Sequence, residues 1–333
     1  MYILGLESSC DETSCAIVEA SKSGRRILAN IIASQIDIHR LYGGVVPEIA
    51  GRAHIEAVSR ITKEALEVAG LSLSDIGLVS VTARPGLIGA LLVGVNFAKS
   101  LAFANNIPLV GVDHVRGHVA AAYLEYPDLK PPFLGVVLSG GHTSFYIVKS
   151  HTDYDEIGST RDDAAGEAFD KIGRVIGLPY PGGAALDRLA YEGDKHAYKL
   201  PSPALAGDTL DFSFSGLKTA ALNLINTASQ KGEEVDRADL AASFTGVIAD
   251  GFSKKLKTAL EQTGLKTVVL AGGVSANSHL RAAAAEVCKK KGARLCLPPL
   301  SLCGDNAAMI AMQGYYEYSS GQQDGTDLNA SAV

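Results

Sequence analysis

Cysteine is scarce in this chain and poorly spaced for structural use: five residues, at positions 10, 15, 288, 296 and 303. An odd number with no C-x-x-C pair excludes a zinc ribbon and a disulfide framework, and it fits a reducing cytoplasm. Positive charge is not in excess either. Thirty Lys and Arg against 36 Asp and Glu leave a net charge of −6, which argues against a stand-alone nucleic-acid binder, because phosphate contacts need clustered Lys and Arg. The runs Lys254-Lys255-x-Lys257 and Lys289-Lys290-Lys291 with Arg294 read most simply as solvated helix faces. The longest stretch free of Asp, Glu, Lys and Arg, 131–148, is interrupted by Ser-Gly-Gly-His-Thr and falls short of the roughly 20 apolar residues of a membrane span. The opening Met1-Tyr2-Ile3-Leu4-Gly5-Leu6-Glu7 has no basic segment, so no signal peptide is expected. What is present is apolar: 47% apolar against 20% charged residues describes a compact soluble chain rather than a disordered one. At 333 residues it outgrows one small core, and two lobes or one large α/β unit are expected. The 35 glycines follow no short repeat and point to tight turns and close backbone approach.

The segments 2–6 and 14–18 are apolar and flank the polar turn 7–13. The same order returns about 130 residues later, where Phe133-Leu134-Gly135-Val136-Val137-Leu138 leads through Ser139-Gly140-Gly141-His142-Thr143 into another apolar run. Two such strand–turn–strand units suggest a duplication. Apolar runs at 78–81, 109–112 and 267–270 precede helical stretches at 85–104, from His114 onward, and at 275–290, an α/β rhythm. Asp211-Phe212-Ser213-Phe214-Ser215-Gly216-Leu217-Lys218 breaks that rhythm and reads as an extended piece ending at a helix capped by Ser215. From Ser319 the chain is polar and unperiodic, and a frayed tail is expected.

Histidines at i and i+4, His114 and His118, share one helix face and have the spacing to bite one metal ion. Val115 stands where a zinc protease carries its glutamate, so protease chemistry is excluded. Two hydrogen-bonded histidines near a helix start are the competing reading. Asp305, in Cys303-Gly304-Asp305-Asn306, is the best third ligand, with a helix N-cap as its alternative. Three glycine turns, at 139–143, 181–183 and 271–275, offer backbone N–H groups to phosphate or carboxylate oxygens. Neither a P-loop nor a dinucleotide G-x-G-x-x-G is present.

G-L-E-S-S-C-D-E-T at 5–13, D-H-x-x-G-H at 113–118, L-S-G-G-H-T at 138–143 and G-E-A-F-D-K at 166–171 occur in this order. They are followed by Y-P-G-G at 180–183, F-S-F-S-G-L-K-T at 212–219, G-G-V-S-A-N at 272–277 and G-D-N-A-A-M-I-A at 304–311. Together they resemble the TsaD family of tRNA threonylcarbamoyladenosine transferases. Val137 and His142 are similar to its bacterial branch. The resemblance implies a duplicated ribonuclease-H-like, two-lobed α/β fold of the actin, hexokinase and heat-shock chaperone superfamily, with a nucleotide cleft. The lobes are expected at 1–118 plus 305–325 and at 119–304, with a flexible tail at 326–333. It implies transfer of a threonylcarbamoyl group from threonylcarbamoyl-adenylate to N6 of the adenosine 3′ to the anticodon, in tRNAs reading codons that begin with A, with release of AMP. His114, His118 and Asp305 match the ligands of one divalent ion, iron first and zinc second. Val137, Leu138, Ser139, Gly140 and Gly141 match the loop under the reacting end of the intermediate, and Asp170, Gly183, Asp187 and Asn277 match its nucleoside positions. Glu12 and His142 are the candidate catalytic side chains.

The adenylate is already an activated mixed anhydride, so the expected protein work is orientation and stabilisation of growing charge. The expected partners are tRNA, a TsaB-like paralogue and a TsaE-like ATPase, with TsaC supplying the adenylate, no membrane, and a homodimer when alone. The alternative is a metal-dependent kinase or ATP switch on the same fold. Such a protein holds magnesium through carboxylates and water, and the histidine pair points away from it.

Overall fold

The computed structural model describes residues 1–21 and 24–333, which divide into two compact units. The first comprises Met1–Pro131, Ser150–Asp153 and Pro298–Val333; the second comprises Pro132–Lys149 and Tyr154–Leu297.

The first unit is built on five strands: β1 (Tyr2–Glu7), β2 (Glu12–Ala20), β3 (Arg25–Ser34), β4 (Ile76–Arg84) and β5 (Leu109–Asp113), in the order β3-β2-β1-β4-β5. β1 runs antiparallel to β2 and parallel to β4. β1 is buried on both faces, with Ile3 on one side and Leu4 and Leu6 on the other, which is why it reads as a continuous apolar run. The first face is covered by α10 (Ala307–Ser319). The second is covered by α2 (Pro47–Ala69) and α3 (Ile88–Asn105). A short turn, α1 (Ile36–His39), links β3 to α2, and α4 (His114–Glu125) follows β5 directly. α3 is long and apolar enough to cross a membrane, but Leu91, Val95, Ala98 and Ala102 are buried in the core of this unit.

The second unit repeats the plan. β6 (Phe133–Leu138), β7 (Thr143–Val148), β8 (Tyr154–Ser159), β9 (Thr267–Ala271) and β10 (Arg294–Cys296) form a sheet of order β10-β9-β6-β7-β8. Reversed, that order is the first sheet's, and the pairing senses match: β6 is antiparallel to β7 and parallel to β9. Its helices are α5 (Ala165–Val175), α6 (Gly182–Leu189), α7 (Ser215–Lys231), α8 (Arg237–Thr263) and α9 (Ser278–Lys291).

Three sequence expectations change. The division falls at 131/132 and 297/298 rather than at 118/119 and 304/305, because α4 is one unbroken helix whose Val115, Val119 and Ala120–Ala122 run is buried with the first unit. The tail at 326–333 is docked rather than loose. Asp324 bridges Leu109 on the edge strand and accepts from Gly111 N, Leu328 packs onto the core of this unit, and Ser331 N donates to Ala83 O. Ser215 does not cap α7; the Asp162 carboxylate accepts from the backbone N–H of Phe214 and Ser215 instead.

Candidate functional site

α4 begins abruptly because the Asp113 carboxylate accepts from the N–H groups of Val115 and Arg116, a side-chain cap at the N-terminus. This cap fixes the first turn, and one turn later His118 meets His114 edge-to-face, with ring centroids 4.6 Å apart and ring planes at 77°. Gly117 between them leaves no room for a Cβ, which would meet Ile310 Cδ1 of α10 at 2.7 Å. On β1, a Cβ at Gly5 would overlap the Ala307 carbonyl. Two glycines therefore let the start of α10 settle between β1 and α4, and that start carries Asp305. It does not cap the helix: Asn306 does, accepting from Met309 N. The Asp305 side chain instead turns toward the histidines, with Oδ1 at 3.5 Å from His114 Nε2 and 3.3 Å from His118 Nε2. One ligand atom from each of the three lies within 4.8 Å of the others.

Charge in this cluster is strongly biased. Burial opposes an imidazolium at His114, but Glu7 and then Asp305 outweigh it and raise its pKa well above the usual histidine value. Burial likewise opposes the Asp305 carboxylate, and His114 with His118 holds its pKa well below the ordinary range. His118 moves down, through burial and the charge on His114. Its Nδ1 is buried without a hydrogen-bond partner among the described residues, and its Nε2 faces only the Asp305 carboxylate, at 3.3 Å and outside good hydrogen-bond geometry. A poorly satisfied buried imidazole nitrogen costs free energy, and a cation between Nε2 and Asp305 would satisfy both groups. The donors are two imidazoles and a carboxylate, a set suited to a transition metal. The residues fit a divalent ion.

The β1–β2 turn surrounds this centre with acids. Burial and the Asp305 charge raise the pKa of Asp11. Burial, offset in part by a hydrogen bond from Ser34, raises Glu12 to about 7. Glu12 Oε2 has no hydrogen-bond partner among the described residues.

In the second unit, β6 runs out at Leu138 and the chain turns through Ser139-Gly140-Gly141. Ser139 N donates to the His142 carbonyl at 2.8 Å, and His142 N donates to Ser139 Oγ at 3.0 Å. Val137 and Leu138 are buried and held in the sheet, Val137 on both sides. Gly140 and Gly141 are exposed, and a Cβ on either would meet none of the described residues within 4 Å. Asp170 Oδ1 accepts from Gly183 N at 3.0 Å, which joins two of the expected nucleoside positions. Asp187 is already occupied: it accepts from the N–H and hydroxyl of Ser278 and from His279 Nδ1 at 2.9 Å. Asn277 Oδ1 accepts from Leu280 N and so caps α9.

Sequence reasoning overlooked Gly166 and Gly272. A Cβ on Gly166 would lie 2.7 Å from Gly140 Cα and from the Ser139 carbonyl, and Gly272 has a φ of +92° against the Leu138 backbone. Both stand in the quoted motifs, but only the fold shows that they press on the loop. Glu7, Ser9 and Thr82 around His114 were also missed. Of the basic residues, Lys290 pairs with Glu286 and Lys257 and Lys291 pair with Glu261, so much of that charge is neutralised locally.

Comparison with known proteins bears on all of this. The model of the family described as "TsaD: tRNA N6-adenosine threonylcarbamoyltransferase" matches residues 26–312. A protein of that name from Clostridium botulinum (strain 657) is 51% identical over 328 residues, 98% of this chain and 96% of the relative. One from Clostridioides difficile is 48% identical over 327 residues, with the same coverage. Among solved structures, full-length HypF in a phosphate- and nucleotide-bound form aligns with 96% of this chain and 47% of its own, at 14% identity and a TM-score of 0.62. Component A of the Acidaminococcus fermentans (R)-2-hydroxyglutaryl-CoA dehydratase aligns over 96% of this chain and 99% of its own, at 16% identity and a TM-score of 0.56. These structural likenesses carry the fold alone, the duplicated ribonuclease-H-like architecture that the two matching sheets display.

Proposed function

Since the chain belongs to the tRNA N6-adenosine threonylcarbamoyltransferase family, we propose that it transfers a threonylcarbamoyl group from threonylcarbamoyl-adenylate to N6 of the adenosine 3′ to the anticodon. The tRNAs are those reading codons that begin with A, and AMP is released. The observation that carries this over a kinase or ATP switch is the His-His-Asp cluster, with one ligand atom from each residue within 4.8 Å of the others. A phosphoryl-transfer site holds magnesium through oxygens instead.

His114, His118 and Asp305 hold one divalent ion, for which iron is the first assignment and zinc the second. When bound, the ion supplies Lewis acidity and a template for the reacting group. Gly140 and Gly141 offer bare backbone to oxygens of the intermediate, beside Ser139, while Val137 and Leu138 fix the loop from the sheet. Asp170 with Gly183, and Asp187 with Asn277, hold the nucleoside; Asp187 does so with the lone pairs left over from Ser278 and His279. In the transfer, N6 attacks the carbonyl carbon, the bond from that carbon to the phosphate oxygen breaks, and AMP departs. Glu12 is the acceptor for the proton lost from N6, because its Oε2 is buried, unpartnered and poised near neutrality. His142, next to the glycine loop, is the second catalytic candidate.

The partners come from the family resemblance, with surface and charge in support. Ile88, Leu92 and Phe103 are exposed apolar side chains that fall within about 60° of one another around α3, a stripe suited to a TsaB-like paralogue, or to a second copy of this chain when alone. A net charge of −6 with locally paired lysines argues against tRNA binding by this chain alone, and the family resemblance adds a TsaE-like ATPase to the assembly. The five cysteines are free, which suits the cytoplasm. Metal analysis tests the reading: purified protein should carry about one iron or zinc per chain. His118→Ala should lose that metal and the transfer activity together, at some cost in stability, because it empties a fully buried position and takes a partner from the Asp305 carboxylate. A variant with full metal content, or a wild type that takes up only magnesium, would count against it.

A further inference from the structure

Glu7 ends strand β1, is 1% exposed and has no place in the ligand set. A buried carboxylate is costly unless every lone pair is used, and here each oxygen is engaged. Oε1 accepts from the backbone N–H of Ser9 at 2.5 Å. Oε2 accepts from the Thr82 hydroxyl at 2.6 Å and lies 2.9 Å from His114 Nδ1. The Ser9 hydroxyl is the other neighbour of Nδ1, at 3.2 Å. With two donors already on it, the carboxylate can only accept from His114. The opposite ring nitrogen, Nε2, is the one that faces Asp305.

We propose that Glu7 is the positioning residue of the metal site: it keeps a proton on His114 Nδ1 and so makes Nε2 the nitrogen that gives up its proton and ligates the ion. This rests on the metal reading above. A neutral imidazole carries one proton, and the hydrogen bond made by one nitrogen decides which nitrogen can ligate. A carboxylate at Nδ1 also makes Nε2 a more basic ligand. Ser9 cannot play this part alone, because a hydroxyl both donates and accepts and would tolerate either tautomer. Thr82 and the Ser9 amide instead lock the Glu7 carboxylate in one orientation. His118 has no such anchor, since its Nδ1 is unpartnered. The site therefore has one oriented histidine and one that gains its orientation from the ion. A shorter side chain would not serve: Asp at this position withdraws the carboxylate by one methylene from a ring it now meets at 2.9 Å.

The test uses Zn²⁺ as a diamagnetic probe on the full chain. Zinc affinity is measured by chelator competition for wild type, Glu7→Gln and His118→Ala, and the histidine ring nitrogens of zinc-loaded wild type are assigned by ¹H–¹⁵N correlation. His118→Ala reports on the metal site itself, and Glu7→Gln on its positioning. In Glu7→Gln the amide NH₂ must face either the Ser9 N–H or the His114 Nδ1–H, so one good contact is lost. We expect zinc affinity to fall roughly 10–100-fold, in line with other partners of metal-bound histidines. The wild-type spectrum should show His114 protonated on Nδ1 and bound through Nε2, with that proton shifted downfield by the carboxylate. A wild type that binds no zinc, or a His118→Ala variant that binds it normally, would overturn the metal reading and the proposal with it. Zinc binding that depends on His118 but is unchanged in Glu7→Gln, or a His114 bound through Nδ1, would overturn the Glu7 role alone. If Glu7→Gln does not fold, the wild-type spectrum decides.

Discussion

Two side chains separate chemistry from architecture at the residue scale. Glu12 has its pKa raised to about 7, chiefly by burial, whereas an unfolded glutamate ionises near 4.5. The folded chain thus holds the extra proton between those values, and stability falls as pH rises across that window. Metal-free Glu12→Gln, which cannot ionise, should be more stable than wild type at pH 8, and the difference should vanish below about pH 4.5. As the base, Glu12 acts when ionised, so the wild-type rate should rise through about pH 7. Glu12→Gln should flatten that limb and lower kcat by roughly 10²–10⁴; an unchanged pH–rate profile would remove Glu12 from the chemistry. Asn277 has two duties. Its capping bond to Leu280 N makes Asn277→Ala cost about 1 kcal/mol in denaturant unfolding. Any nucleoside contact would add a higher KM for the adenylate with a smaller change in kcat. A stability loss with an unchanged KM would leave it a cap alone. The i, i+4 histidines were legible in the sequence because helix periodicity alone places them together, and Asp305 because a short acidic turn precedes an apolar helix. Glu7 was not legible. Its partners Ser9, Thr82 and His114 come from the β1–β2 turn, β4 and α4, and no local pattern signals a buried carboxylate that a turn, a strand and a helix must assemble around.

Elements explain the glycine loop. Gly140 and Gly141 face open space, whereas Gly166 presses on Gly140 Cα and Ser139 O at 2.7 Å. The two kinds of glycine predict opposite failures. Gly141→Val should fold with normal stability and lose nucleotide affinity, because the new side chain occupies only ligand space. Gly166→Ala should lower stability as well, by roughly 1–3 kcal/mol, since backbone atoms must shift to admit the methyl. Equal nucleotide affinity in Gly141→Val and wild type, by calorimetric titration, would assign the loop to turn-making alone. The apolar strands β1, β6 and β9 were legible because burial on both faces gives continuous apolar runs. β3 was not, since it opens on Arg25-Arg26 and alternates with exposed positions. The docked tail escaped for a related reason: it is held by Leu328, by Asp324 and by backbone hydrogen bonds, a signal too sparse for periodicity to show.

The whole molecule is a duplicated α/β chain in which one repeat carries a metal-type cluster and the other a glycine loop with carboxylates. Duplication was readable because both repeats open with strand, polar turn and strand. The boundaries were misplaced because α4 bears the histidines yet continues to Glu125 within the first unit. A kinase or ATP switch on the same fold is the alternative, and the two differ in the bond that breaks: in the proposed transfer it joins the carbonyl carbon to the oxygen of AMP, and a γ-phosphate has no role. The most direct measurement reconstitutes the metal-loaded chain with a TsaB-like paralogue, a TsaE-like ATPase, threonylcarbamoyl-adenylate and an A-decoding tRNA, and follows modified adenosine and AMP together. The expected result is equal amounts of threonylcarbamoyladenosine and tRNA-dependent AMP, with little ATP turnover by the isolated chain. Vigorous ATP hydrolysis or phosphoryl transfer by the chain alone, with no modified adenosine from the full mixture, would contradict it.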